Sequence, residues 1–142
     1  MVDGNMLAVW WKIVTPKTAR SIINHFLESG VDHPVPCRVN TPKFHHSLVP
    51  KRFGLIGLSG YHNDDCAWLW LGAVSVLALK KQYSRKARSL LEKIAKLIVK
   101  HQEVYEIYNE KGDPFNTWFY KSEHPFAWNS ALFLTAATEL GH

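Results

Sequence analysis

The apolar residues of this chain follow two patterns that alternate along it, and no other feature limits the fold as much. Residues 16–29 carry Ala19, Ile22, Ile23, Phe26 and Leu27 at helical spacing with polar residues between. Residues 84–100 carry Ala87, Leu90, Leu91, Ile94 and Ile98 on one stripe, against Arg85, Lys86, Arg88, Lys93, Lys96 and Lys100. Each reads as a helix with one buried and one solvated face. Three other segments are apolar nearly all round: MLAVWWKIV at 6–14, CAWLWLGAVSVLAL at 66–79 and FAWNSALFLTAATEL at 126–140. A helix apolar on every side is expected to be covered on every side. A single-layer bundle does not need this alternation. A two-layered helical ring does, with buried inner helices between half-exposed outer ones, and the chain reads inner, outer, inner, outer, inner.

The punctuation agrees. Thr15 is a good N-cap and Pro16 fits the first helical position, while Gly30 can close that helix. One of Asn63, Asp64 or Asp65 is expected to cap the third helix, and Ser84 to open the fourth. The outer-to-inner connections, 31–64 and 103–125, are long, whereas those near residues 15 and 82–83 are very short. In a ring of this kind the long loops share one end, and loops on a rigid scaffold carry function.

Composition narrows the classes. With 46% apolar residues in 142, the chain can bury a core and is not a disordered tail. The net charge of +5 includes a dense cationic stretch at 80–100. That stretch is the solvated face of the fourth helix, so no nucleic-acid partner is expected. The run at 66–79 is too short to span a bilayer, and no membrane partner is expected. Two cysteines, Cys37 and Cys66, are too few for a disulfide scaffold, and Asp3 stands where a secretory leader would be basic. A cytoplasmic, reduced protein is the expectation. The adjacent pair His45-His46 lacks metal-ligand spacing, and no glycine-rich phosphate loop occurs, so no metal or cofactor is expected.

Three clusters fall at the starts of the inner helices: Asp3-Gly4-Asn5; Tyr61-His62-Asn63-Asp64-Asp65 with Trp68; and Tyr105-Glu106-Ile107-Tyr108 leading to His124-Pro125-Phe126-Ala127-Trp128. Each sets carboxylates or amides beside aromatic rings. Sugar sites use that mixture: polar groups meet hydroxyls, and flat rings meet the apolar face of a pyranose. The six Trp of the chain fit this use. Glu106, flanked by Tyr105 and Tyr108, is the candidate catalytic carboxylate, since glycoside hydrolysis works through carboxyl groups. Read on its own it is equally a surface Glu beside an aromatic turn, and Asp3, Asp64 and Asp65 each have a plain role as helix caps.

At these residues the chain resembles the six-hairpin, or (α/α)6-barrel, glycosidases, above all the C-terminal part of glycogen-debranching amylo-α-1,6-glucosidase-like proteins. DGNMLAV at 3–9 is similar to the family's D-x-G-N-x-L-A start of an inner helix, and YHNDDCAWLW at 61–70 to its Y-x-N-G-x-x-W segment. VYEIYNEKGDP followed by HPFAWNSALFL is similar to its Y-E-x-Y…F-x-W-S-x-x-x-x-L ending. Asp64 stands where the family often has Gly, and Asn129-Ser130 replaces its usual Ser-Gly or Ser-Ala. The resemblance implies an all-α fold: a partial (α/α)6 toroid of about five helices, with residues 1–142 forming the C-terminal part of one barrel domain. It implies an inverting α-glucosidase in which Glu106, in the loop before the last inner helix, is the catalytic base. Asp3, Asn5, Tyr61, His62, Asn63, Trp68, Tyr105 and Trp128 would bind an α-glucoside or oligosaccharide. The family's general acid lies upstream of anything matched here, and five helices cannot close a twelve-helix ring. The chain is therefore expected to be a fragment or split product that seeks an upstream half or self-associates. The alternative reading is a non-catalytic helical-hairpin module binding a glycan or protein partner.

Overall fold

The computed structural model describes residues 1–61 and 66–141, save the side chain of His46. The fold is mostly helical with one small sheet. Its order is α1 (Val2–Trp10), α2 (Pro16–Glu28), a 3-10 turn (His46–Leu48), α3 (Lys51–Leu55), β1 (Ala67–Trp68), α4 (Leu69–Leu79), α5 (Ser84–His101), β2 (Ile107–Tyr108) and α6 (Ala127–Glu139). No helix among the described residues is long and apolar enough to cross a membrane.

Helix α4 is the centre. Nine of its residues, Leu69, Leu71–Val74 through Leu77 and Leu79, are buried, as an apolar circumference requires. It packs against α1 on one side, α6 on the other, and α5, which also touches α6; α2 lies on α1. Gly72 permits this crowding: a Cβ there would stand 3.0 Å from Ile94 Cδ1 of α5 and 3.3 Å from the Pro36 carbonyl. The stripes of the amphipathic helices close the core through Ile23 and Phe26 of α2 and Ala87, Leu90, Leu91 and Ile94 of α5. Thr15 caps α2 as expected, its hydroxyl accepting the Thr18 N–H.

Helices α1 and α6 depart from the expectation of all-round burial. Helix α1 fully buries only Val2 and Met6, and α6 only Asn129 and Ala136. Trp11 and Ile13 are 59% and 72% exposed, and Trp128 and Leu134 of α6 are 64% and 62% exposed. The reason is position: α4 has neighbours on both sides, whereas α1 and α6 end the row. The first helix also begins earlier than its apolar run. The Val2 N–H is held by the Val39 carbonyl at 2.7 Å, so Asp3 lies in the first turn rather than at the cap. Lys12, at φ 57°, turns the chain out before Ile13.

The long loops meet at one end. β1 pairs antiparallel with β2, Ala67 opposite Tyr108 and Trp68 opposite Ile107. Arg38 bridges to Ala67, and Tyr108 to Pro114. The ladder runs directly into α4, while the Val39 carbonyl next to Arg38 accepts the Val2 N–H at the start of α1 and the Val104 carbonyl accepts the Phe126 N–H ahead of α6. The loops also touch at Gly57, whose φ of 73° suits glycine and where a Cβ would lie 3.0 Å from Thr117 Cβ. The Thr117 hydroxyl donates to the Ile56 carbonyl at 3.3 Å.

Loop 30–40 is tied to α5 by a buried carboxylate. Asp32 meets Lys86 Nζ at 3.0 Å, Lys93 Nζ at 3.4 Å and His33 Nδ1 at 3.0 Å. Burial alone would raise its pKa, but the bonds to Lys86 and His33 and the charges of both lysines hold it below the ordinary carboxylate value.

Candidate functional site

Glu106 sits half-buried where the loops converge, and its position is set by backbone on both sides. Its N–H donates to the Glu123 carbonyl at 2.9 Å, and the Phe126 N–H to the Val104 carbonyl at 2.9 Å, so 104–106 runs alongside 123–126 into α6. From the first turn of α6, the fully buried Asn129 donates its side-chain amide to the carbonyls of Tyr105 at 2.7 Å and Glu106 at 3.1 Å. Its other amide atom, Oδ1, is buried with no hydrogen-bond partner. Ser122 fixes the next residue: its hydroxyl accepts the Ile107 N–H at 3.0 Å and donates to the Ile107 carbonyl at 2.9 Å. Two small polar side chains thus do what a longer strand would otherwise do.

The carboxylate faces tyrosines. Tyr120 donates its hydroxyl to Glu106 Oε2. It comes from a tight turn in which the Thr117 hydroxyl accepts the Tyr120 N–H at 2.9 Å and the Thr117 N–H donates to the Tyr120 carbonyl at 2.7 Å. The Tyr61 hydroxyl belongs to the same hydrogen-bonded group. The Tyr61 ring stands edge-on to Tyr120 at 5.2 Å between centroids and to Trp68 at 5.0 Å, with Phe115 at 6.3 Å. The Trp68 indole N–H donates to the Tyr61 carbonyl at 3.0 Å. Burial raises the Tyr120 phenol well above its usual range, and the bond to Glu106 and the proximity of Tyr61 raise it further. Burial likewise raises Tyr61, with Tyr120 opposing and Glu106 reinforcing. Both tyrosines therefore stay protonated across ordinary pH.

Of the residues singled out from sequence, the structure brings together Glu106, Tyr61 and Trp68. His62 and Asn63, with Asp64 and Asp65, lie outside the described residues. Tyr105 turns its ring toward His124 at 4.6 Å, His101 at 6.0 Å and Tyr108 at 6.1 Å. Asn5 donates to the Met1 carbonyl at 3.0 Å and lines a separate depression of about 230 Å³ with Ser21, His25 and Thr41. Asp3, on the same turn, keeps a buried Oδ1 with no hydrogen-bond partner. Trp128 is exposed on the open flank of α6.

Sequence reasoning passed over Tyr120, Phe115 and Ser122, and met Asn129 only as a departure from the family's ending. Only Asn129 carried a signal, a polar amide inside an apolar helix. Trp118 and Phe119, at the tip of the Tyr120 turn and 77% and 63% exposed, had none. Among the described residues, no three His, Cys, Asp or Glu side chains group to hold a metal ion. Chemically the cluster offers one anionic acceptor, two neutral donors and flat rings.

No family model, curated protein or solved structure matches the chain.

Proposed function

We propose that this chain is part of an inverting α-glucosidase of the (α/α)6-barrel kind, amylo-α-1,6-glucosidase-like, and that Glu106 is its general base. The observation that carries the reading is the Glu106 carboxylate held by Tyr120 among aromatic rings, at the end where both long loops meet. The helix contacts are compatible with such a toroid: α4 packs against α1, α5 and α6, and α2 against α1. In such a reaction Glu106 takes a proton from water as the water oxygen attacks the anomeric carbon. The glycosidic C–O bond breaks, and the departing oxygen receives a proton from a second carboxyl group. In the family this chain resembles, that acid lies upstream of the segments matched here. It would come from further helices that complete the ring against the apolar flanks of α1 and α6. Tyr61, Trp68 and Phe115 would supply ring faces for the sugar, and Tyr120 would orient the carboxylate.

The test is hydrolysis of maltose, isomaltose, sucrose and a nitrophenyl α-glucoside, by the chain alone, with an upstream barrel half added, and with Glu106→Gln. General acid–base assistance is worth on the order of 10²–10⁴-fold for each participant. The chain alone should be inert, and activity should appear only with the added half and vanish in the variant. Turnover that survives Glu106→Gln contradicts the reading. The alternative, a non-catalytic helical-hairpin module binding a glycan or protein, draws on the exposed Trp11, Ile13, Trp128 and Leu134.

A further inference from the structure

Where the long loops meet, an apolar knob stands near an apolar hollow. The knob is Trp118 and Phe119, 77% and 63% exposed, their rings packed edge to face at 5.7 Å between centroids. They lie at the tip of a turn whose ends bridge Asn116 to Lys121. Thr117 holds the turn: its hydroxyl accepts the N–H groups of Phe119 at 3.2 Å and Tyr120 at 2.9 Å. Through Gly57 and the Ile56 carbonyl, Thr117 also fixes the turn to the segment that walls the hollow. Rings held out in water by a rigid turn lose little freedom when a partner covers them.

The hollow begins at the next residue. Tyr120 is one of its walls; Phe44, Leu48, Phe53 and Tyr61 are others, and its volume is about 380 Å³. Its lining has no charged side chain, and its polar ones are Ser59 and the two tyrosines. Neither Trp118 nor Phe119 lines it, so within one chain knob and hollow do not meet. They match in size. An apolar cavity of roughly 150 Å³ takes up benzene, and an indole with a phenyl amounts to about two and a half such rings. They match in polarity too, since residues 116–120 carry no charge that the hollow would have to strip of water.

The matched parts lie side by side on one face, so a two-fold axis beside Tyr120 seats both knobs at once, the self-complementary arrangement of an isologous dimer. An aromatic side chain buries about 150–250 Å², so two Trp–Phe knobs bury about 600–1,000 Å². With a like area lost from the hollows the contact covers about 1,200–2,000 Å², the size of a stable specific interface.

We propose that the chain forms a two-fold dimer in which Trp118 and Phe119 of each copy fill the other's hollow, among Phe44, Leu48, Phe53 and Tyr120. The dimer is independent of hydrolysis at Glu106, and either assignment can fail without the other. The experiment is sedimentation velocity of the full chain from low micromolar to millimolar concentration, with amide hydrogen exchange at the two extremes. A monomer–dimer equilibrium is expected, with residues 44–59 and 117–120 exchanging more slowly in the dimer. Trp118→Ala with Phe119→Ala should weaken the dimer by about thirtyfold or more and leave the helical circular dichroism unchanged. Leu48→Glu, on the opposite side of the contact and 70% exposed, should do the same by placing a carboxylate against the seated rings. Trp11→Ala with Trp128→Ala, on the flanks of α1 and α6, should leave the affinity within about twofold. A chain that stays monomeric at millimolar concentration overturns the proposal and leaves the hollow to another occupant. Dimers that survive the knob or Leu48 variants overturn it as well, and dissociation by the flank pair instead would place the contact on α1 and α6.

Discussion

Replacing Asn129 with Ala should unfasten the Glu106 loop from α6 at a cost that can be worked out from the contacts. The substitution removes two buried hydrogen bonds, to the carbonyls of Tyr105 and Glu106. Each is worth about 0.5–1.5 kcal/mol net, and more where the carbonyl left behind cannot reach water. Together the loss is about 2–3 kcal/mol. Alanine is the better helix former by about 0.6 kcal/mol, which offsets part of this. The net destabilisation is then about 1.5–2.5 kcal/mol, or a fall of about 5–9 °C in Tm for a chain of this size. Thermal unfolding followed by circular dichroism reads the total. Amide hydrogen exchange reads its location, which should be residues 104–107 and 122–126 before the rest of α6. Thr135→Ala is the control: its hydroxyl bonds only within α6, to the Ala131 carbonyl at 2.9 Å, and the change should stay within about 0.5 kcal/mol of neutral. A loss below about 0.5 kcal/mol in Asn129→Ala, or exchange that rises evenly along α6, would refute the idea that this amide positions the carboxylate loop.

The remaining predictions concern charge. Glu106→Gln removes the anion that, after burial, does most to raise the Tyr120 phenol, so the last tyrosine to ionise in an absorbance titration should ionise at lower pH in the variant; an unchanged profile would place the carboxylate elsewhere. The same raised phenol binds its proton more tightly folded than unfolded, so its contribution to stability is full below about pH 10 and is lost as pH rises beyond it. Alkaline unfolding should therefore be less steep in Glu106→Gln. The Asp32 carboxyl is depressed, so its contribution is present above about pH 4 and lost as pH falls through its lower folded value. Asp32→Asn should cost about 2 kcal/mol at neutral pH, toward the low side for a broken ion pair because Lys86 and Lys93 are partly exposed, and the difference from wild type should vanish under acid in denaturant titrations.

Much of the helical frame was legible because its signals are local. Thr15-Pro16 and the stripe from Ala87 to Ile98 depend on a few residues of sequence, and α2 and α5 lie where those residues put them. The strands β1 and β2 were not legible: two residues each give no period, and only pairing across the chain defines them. The connection read as one long loop at 31–64 holds a 3-10 turn and the short α3, built around Pro50 and Gly54 rather than any apolar repeat. The same limit governs the site. A helix apolar all round has no preferred direction, so the sequence could not say which side of α6 faces inward. Trp128 was expected among the sugar-binding residues, yet it lies exposed while its neighbour Asn129 is buried and donates to the carbonyls of Tyr105 and Glu106. Glu106, Tyr61 and Trp68 meet because they begin or precede elements that start at the same end. Tyr120 joined them through a turn whose fold depends on the Thr117 hydroxyl.

The central claim is that the Glu106 cluster receives an α-glucoside, and a nitrogen-15 NMR titration of the intact chain with isomaltose and maltose tests it most directly. The account predicts dose-dependent shifts at the backbone amides of Glu106, Tyr61 and Tyr120 and the indole N–H of Trp68, with the indole of Trp11 unmoved. Shifts confined to the exposed flanks of α1 and α6, or none up to high millimolar sugar, would contradict it.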